Sequence, residues 1–234
     1  GSREWGWRGG RATGARFDVT WDRGPYGLYG NLGYRSLTGE EVASNNVLQA
    51  GAGAYKHLLR TVDMRVTGGV DLTFLRYDKN LGFFTLGHGG YFSPQSYVHL
   101  SLPVEWTGRF GRLAYQLRGS IGVQRFRQDS APYFPKDAAL QSALEQRAAL
   151  NPALGLETVH GSNSTTGIGV NLHGALEYKV SSHLFVGGTL GFDNTRDYAQ
   201  GMGSVFLRYW FEPQADPIHF PPRPVKPFFS DRAP

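Results

Sequence analysis

The sequence predicts an all-β fold: an antiparallel up-and-down transmembrane β-barrel, with about nine strands in this chain and one short helix in a loop. Three observations lead there. Apolar and polar residues alternate with period two over segments of roughly 9 to 15 residues. A globular strand usually has about 5–6 residues, whereas a tilted membrane strand needs roughly 9–11. Next, 32 glycines and 14% aromatics accompany only 18% charged residues, yet mean hydropathy is −0.35. A wall that is apolar outside and polar inside has that balance. Finally, the connections alternate between short and long, as in barrels whose tight turns face one side of a membrane and whose loops face the other.

Nine strands are read in order at 14–23, 25–37, 46–59, 63–77, 96–109, 112–127, 166–180, 183–196 and 203–211. In the first, Arg16, Asp18, Thr20 and Asp22 alternate with Ala15, Phe17, Val19 and Trp21. The second puts Tyr29, Asn31 and Arg35 on its polar face, and the third Gln49 and Tyr55. In the fourth, Met64, Val66, Gly68, Val70, Leu72 and Phe74 oppose Arg65, Thr67, Gly69, Asp71 and Thr73. In the fifth, Val98, Leu100, Leu102, Val104 and Trp106 oppose His99, Ser101, Glu105 and Thr107. Pro103 there marks either a bulge or a strand drawn too long. The sixth carries Gln116, Arg118 and Gln124 on its polar face. In the seventh, Ile168, Val170, Leu172, Leu176 and Tyr178 oppose Asn171, His173, Glu177 and Lys179. The last ends on apolar Val205, Leu207, Tyr209 and Phe211, with Arg208 on the other face. Trp21, Tyr26, Trp106, Tyr178 and Trp210 near strand ends suit an aromatic girdle at headgroup level, or simply the strand preference of aromatics.

Short connections follow strands one, three, five and seven: Asp22-Arg23-Gly24-Pro25, Arg60-Thr61-Val62, Phe110-Gly111 and Ser181-Ser182. Long ones follow the even strands, at 38–45, 78–95, 128–165 and 197–202. Within the third, Asp137 to Ala149 reads as a short helix with Asp137 as N-cap. Its Leu140, Leu144 and Leu150 either pack over the barrel mouth or face solvent. After Phe211 comes a tail with six prolines between Pro213 and Pro227, necessarily extended, and read as a periplasmic linker, a docking peptide or a plug. The chain thus divides into 1–13, a tag remnant and lead-in, 14–211, the barrel, and 212–234, the proline-rich tail. Bacterial single-chain barrels have an even number of strands, so further strands are expected upstream.

Several classes are set aside. No run of about 18 apolar residues exists to make a membrane helix. Cysteine is absent, which excludes disulfides, thiolate nucleophiles and zinc–thiolate sites. The net charge of +5 is scattered along the chain rather than gathered into a nucleic-acid patch. Gly1-Ser2-Arg3-Glu4 does not read as a secretory signal. Ser101 with His99, or Ser93 with His88, offers a nucleophile and a base, but no elbow motif or third orienting group accompanies them, so no enzyme is expected. His88 among glycines supplies too few ligands for a metal, and no cofactor is expected.

The stretch Tyr77-Asp78-Lys79-Asn80-Leu81-Gly82-Phe83-Phe84-Thr85-Leu86-Gly87-His88-Gly89-Gly90-Tyr91-Phe92-Ser93-Pro94-Gln95 resembles the C-terminal domain of the cellulose synthase operon protein C family, the outer-membrane exporter of bacterial cellulose. Tyr26-Gly27-Leu28-Tyr29-Gly30 with Leu37-Thr38-Gly39 is similar to that family too. So are Gln124-Arg125-Phe126-Arg127 through Ala131-Pro132-Tyr133-Phe134-Pro135, and Gly187-Gly188 through Arg196-Asp197-Tyr198. The resemblance spans roughly residues 14–211. It implies a sixteen-stranded outer-membrane barrel preceded by periplasmic tetratricopeptide repeats, of which this chain holds the later strands. The function it implies is conduction of nascent β-1,4-glucan from periplasm to cell exterior. The implied partners are that polymer, outer-membrane lipid, the upstream repeats and the inner-membrane cellulose synthase complex. An exporter of another exopolysaccharide, such as poly-N-acetylglucosamine, is the alternative, and a barrel enzyme or structural porin comes after it.

A β-1,4-glucan is neutral, with apolar ring faces and hydroxylated edges. Its channel needs a wet wall offering many weak contacts. The inward-facing residues given by the alternation can supply such a wall. They are Arg16, Asp18, Tyr29, Asn31, Arg35, Gln49, Tyr55, Arg65, Asp71, His99, Glu105, Gln116, Arg118, Gln124, Asn171, His173, Glu177 and Arg208. The plainer expectation for any one of them is cross-strand pairing that stiffens the wall. The mixed signs favour a neutral polymer over a cationic one. Phe83, Phe84, His88, Tyr91 and Phe92 form the candidate mouth or constriction element. Either their rings face the polymer or they brace the loop as a small core.

Overall fold

The computed structural model describes residues 10–195, 198–215 and 217–224. Its elements in chain order are β1 (Arg11–Arg23), β2 (Tyr26–Thr38), β3 (Asn45–Arg60), β4 (Met64–Tyr77), β5 (Ser96–Phe110), β6 (Leu113–Gln128), β7 (Ala131–Pro132), α1 (Ala138–Leu150), β8 (Val159–His160), β9 (Asn163–Lys179), β10 (Leu184–Thr195) and β11 (Tyr198–Tyr209). Nine of the strands form one sheet in the order β1-β2-β3-β4-β5-β6-β9-β10-β11, every neighbouring pair antiparallel. The short β7 and β8 pair with each other and gather the two ends of the loop that carries α1. Among the described residues β1 pairs only with β2, and β11 only with β10, so the nine strands form a wall with two edges.

The registers keep the alternation in phase across the wall. Asp18 stands opposite Asn31, Asn31 opposite Gly51, Gly51 opposite Thr73, Thr73 opposite His99 and His99 opposite Gln124. One face is therefore polar from strand to strand, and the other apolar. The apolar face is bare: Leu102 is 56% exposed, Ile168 63% and Val205 82%. Two small clusters hold six of the nine buried apolar residues among the described ones. One joins Val42, Ala43 and Leu81, and the other Ala114, Phe185 and Ile218. Extended exposed apolar patches mark surfaces that contact a partner or an apolar phase.

Eight strands lie within three residues of their expected bounds. The ninth does not. β11 begins at Tyr198 and ends at Tyr209, and Tyr198 to Met202 already pair with Thr195 to Gly191, so the expected long connection at 197–202 is largely ladder, its residue 197 lying outside the described residues. Gly201, expected in that connection, and Gly203, expected to open the strand, both sit inside the ladder, opposite Phe192 and Leu190. Three connections, 39–44, 78–95 and 129–162, remain long, and all lie at one end of the sheet. That end is the loop end here, and the opposite one the turn end.

Pro103 makes neither a bulge nor a strand end. It stays opposite Ser120 in the β5–β6 ladder, while the β4–β5 ladder skips from Gly68–Val104 to Asp71–Ser101 without changing register. A ring without an N–H removes a rung and leaves the rest in place. Helix α1 starts where expected: Asp137 accepts the Leu140 amide at 2.9 Å, and none of its residues is buried. It stands away from the sheet, so its leucines do not form a cover over the wall.

Candidate functional site

The polar face is curved. Residues of β2 and β9, five strand spacings apart in the sheet, line the same cavity of about 940 Å³. This trough collects Tyr29, Asn31, Tyr55, Arg65, Asp71, His99, Glu105, Arg118, Asn171 and His173 of the expected inward set. Gln116 lines a second cavity beside Arg118 and His173, against β10 and β11. Arg16 and Asp18 lie outside both, paired with each other at 2.7 Å on the edge strand β1. Arg35 and Gln49 lie outside both cavities as well. Gln124 accepts the Tyr97 hydroxyl at 3.2 Å, nearer the loop end. The trough is also lined by His57, Thr67, Thr73, Ser101 and Ser120, which the expected set lacks. Alternation already puts Thr67, Thr73 and Ser101 on the polar face, and His57 and Ser120 share the parity of Tyr55 and Arg118, the signal that could have found them.

The charges in the trough are largely compensated. Glu105 meets Arg118 at 2.5 Å and Arg65 at 3.8 Å, and accepts Gln116 at 3.1 Å. His173 reaches Asp193 at 3.1 Å, and Asn171 donates to Ser120 at 2.7 Å. Asp71 Oδ1 and Arg65 Nε are buried without a hydrogen-bond partner among the described residues. The two tyrosines lie flat against the wall. Tyr29 stands opposite Gly53 and Tyr55 opposite Gly27, and a Cβ on either glycine would run into the facing ring. The Tyr55 hydroxyl donates to Asp22, which fixes its ring across β2. Glycine opposite tyrosine thus turns each ring into a flat tile rather than a spur.

At the loop end, residues 78–95 are folded back on themselves. Leu81 and Ser93 are fully buried, with the Leu81 amide donating to Ser93 Oγ at 2.8 Å. The Leu81 carbonyl accepts the amides of Gly89 and Gly90 at 3.1 and 3.0 Å. Closing so tight a loop requires positive φ at Gly87 (93°) and Gly90 (66°), where a side chain would be strained. Asn45, at the start of β3, bonds both the Lys79 backbone and the Tyr91 hydroxyl. The candidate mouth residues part company. Phe92 meets Tyr97 and Phe126 edge-on, at 6.1 and 5.1 Å, and so turns onto the polar face. Tyr91 packs against Tyr77 at 5.7 Å. Phe84 is exposed. Phe83 and His88 join the other long loop instead.

That junction is a stack of rings. His160 lies between Phe83 (3.9 Å) and Tyr133 (4.7 Å), with His88 edge-on to it at 5.2 Å. His88 Nε2–H donates to the Pro132 carbonyl at 2.9 Å, leaving Nδ1 buried without a partner among the described residues. His160 Nε2 contacts Thr85 Oγ1 at 2.9 Å. Burial pushes both imidazoles below their ordinary value, opposed by the Pro132 bond in one and by Glu157 in the other. An unpacked loop therefore takes up protons before the packed one does. Loop packing is complete above about pH 6.5 and weakens as pH falls below it. Amide exchange across 78–95 and 129–162, corrected for its intrinsic pH dependence, is expected to accelerate between about pH 7.5 and pH 5. Unchanged protection would show that the two histidines do not control the packing.

At the turn end the tail returns to the polar face. Ile218 is buried against Ala114 and Phe185, with Phe220 beside them. Arg109 bonds Asp63 at 2.7 Å and the Ile218 carbonyl at 3.4 Å, and its guanidinium lies over the Phe220 ring at 5.8 Å. Gln214 is held at both backbone ends, its amide to Ser182 at 2.8 Å and its carbonyl by Lys179. Glu177 and Arg208, expected on the inward face, pair there at 2.5 Å and grip the tail. Arg208 donates to the Arg223 carbonyl, and Glu177 Oε2 accepts the Arg223 amide at 3.3 Å. The remainder of the tail, 225–234, lies outside the described residues.

Comparison with known families matches residues 2–212 to the profile described as Cellulose synthase operon protein C C-terminus. The cellulose synthase operon protein C of Xanthomonas axonopodis pv. citri (strain 306) is 44% identical over 214 residues, covering 88% of this chain and 14% of that protein. That of Pseudomonas fluorescens (strain SBW25) is 37% identical over 224 residues, covering 96% and 16%. That of Escherichia coli (strain K12) is 29% identical over 223 residues, covering 95% and 19%. The chain spans less than a fifth of the length of these relatives.

Proposed function

The chain belongs to the cellulose synthase operon protein C C-terminus family, and from that premise we propose that it forms part of the wall of an outer-membrane channel through which nascent cellulose passes from periplasm to cell exterior. The observation that carries this reading is a polar trough, tiled by flat tyrosines and lined with compensated charges, backed by a bare apolar face. In lipid, that face loses nothing by its exposure, and the backbone groups of β1 and β11 must pair with further strands. Sixteen strands, the number implied by the family resemblance, close such a wall. The loop end then faces outward and the turn end faces the periplasm.

The trough suits a neutral, stiff glucan. Ring faces slide over Tyr29 and Tyr55, and hydroxyls exchange hydrogen bonds with Asn31, Asp71, His99 and Asn171. The buried Asp71 oxygen and Arg65 nitrogen offer bonds that a passing hydroxyl or water can satisfy. Because Glu105 pairs with both arginines, their charge is partly offset, and many weak contacts permit both entry and exit. The polymer moves without bond breakage, fed by its own synthesis at the inner membrane and delivered through periplasmic tetratricopeptide repeats.

The test is single-channel recording of the full natural protein in planar bilayers. Cello-oligosaccharides are expected to block the current transiently, with dwell times shortened in Tyr29→Ala and Tyr55→Ala. Stacking on one aromatic ring is worth about 1 kcal/mol, so each change should shorten the dwell several-fold. If malto-oligosaccharides block equally well, or if cello-oligosaccharides leave the current untouched, the glucan assignment fails.

A further inference from the structure

Three arginines stand on the apolar face at the loop end of β4 and β6, on either side of β5. Arg76 follows Phe74 on β4, and Arg125 and Arg127 follow Ile121 and Val123 on β6. The β5–β6 ladder sets Val98 opposite Arg125 and Ser96 opposite Arg127. The β4–β5 register that pairs Leu75 with Tyr97 brings Arg76 to Ser96. Arg76 and Arg127 thus flank the small Ser96 at two strand spacings, about 10 Å. All three are exposed. Arg127 pairs with Asp129 at 3.0 Å, whereas Arg76 and Arg125 make no ion pair or side-chain hydrogen bond among the described residues. The other charges on this strip are Lys79, bonded to the Ser44 carbonyl, and Asp78, held by Asn46 at 2.8 Å. Four cations therefore face two carboxylates, and both carboxylates are already engaged. Directly toward the turn end the same strip becomes wholly apolar, through Phe74, Val98 and Val123 to Leu72, Leu100 and Ile121.

An apolar wall capped by forked cations is complementary to a lipid whose phosphate sits just above its acyl chains. Guanidinium groups bind phosphate through paired, charge-assisted bonds, more specifically than a point charge does. We propose that this strip of β4, β5 and β6 is a binding site for the phosphorylated sugar head of an outer-leaflet glycolipid, with Arg76 and Arg125 gripping phosphate and the acyl chains lying along Val98 and its neighbours. This rests on the reading of the apolar face as lipid-facing and the loop end as outward. The site pins the outer rim of the wall beside the 78–95 loop.

The experiment reconstitutes the full natural protein into phosphatidylcholine vesicles containing diphosphorylated lipid A or, separately, phosphatidylglycerol. Insertion is read by flotation, and lipid retained after detergent extraction by mass spectrometry. Wild type is expected to retain lipid A in preference to phosphatidylglycerol. Arg76→Gln with Arg125→Gln is expected to lose about fivefold per arginine, and the two Lys replacements to keep part of the binding. Lys56→Gln, on the same face at the turn end, should leave retention unchanged. Equal retention by an inserted double-Gln variant, or equal retention of phosphatidylglycerol by wild type, overturns the site while leaving the barrel intact. Failure of wild type to enter either vesicle overturns the membrane reading and this site with it.

Discussion

Glu177→Ala is expected to free the tail from the polar face and to cost the fold about 3 kcal/mol, the low end of the roughly 3–5 kcal/mol for removing one partner of a buried ion pair. Glu177 is only 3% exposed, and its carboxylate holds both the Arg208 guanidinium and the Arg223 amide. Removing it leaves Arg208 on the polar face of β11 with the Arg223 carbonyl as its remaining hydrogen-bond acceptor and the Phe206 ring beneath it, among the described residues. That carbonyl and the partial exposure of Arg208 set the expectation at the low end. Two measurements apply: equilibrium unfolding in detergent or lipid, and limited proteolysis of 212–224. Glu177→Gln, which keeps shape and one acceptor, should fall between wild type and Ala. A tail as resistant to protease in Glu177→Ala as in wild type would show that the Ile218 cluster alone retains it.

Leu172→Arg is expected to cost about 2–4 kcal/mol, the penalty for a cation at the lipid-facing midplane of a barrel. Leu172 lies at the centre of the apolar run from Ile168 to Leu176 on β9 and is exposed on the bare face. Asn171→Arg, one residue away on the trough side, loses only the hydrogen bond to Ser120, about 1 kcal/mol. Both variants put an arginine on the same strand one residue apart, so their difference reports chiefly on the face. The check is equilibrium unfolding from lipid vesicles. Equal costs at the two positions would sink the inside-out assignment of the sheet.

Period two was legible wherever it ran unbroken, which is why the bounds of β1 to β6, β9 and β10 lay close to expectation. Gly201 hid the start of β11, because a glycine has no side chain to assign to a face and reads as a turn. The Asp137 cap was visible because an N-cap is a local bond between residues three apart. The fates of the mouth aromatics were not. Phe83 and His88 meet His160 from a different loop, and no local pattern reports a meeting between loops. The same holds for the tail. Its prolines dictate an extended chain, but its position depends on Ile218 finding Phe185 and Ala114, and on Glu177 and Arg208 being used for binding rather than for lining.

The reciprocal tiling of Tyr29 on Gly53 and Tyr55 on Gly27 also bears on how the wall assembles. A slip of β2 against β3 by one residue is forbidden by the faces, but a slip by two preserves them. In one direction that slip sets Tyr29 against Tyr55, where neither ring can lie down. In the other it carries Tyr55 past the end of β2 to Pro25. The two glycines therefore act as a register gauge, rejecting during strand pairing the mistakes that hydrophobic patterning alone would accept.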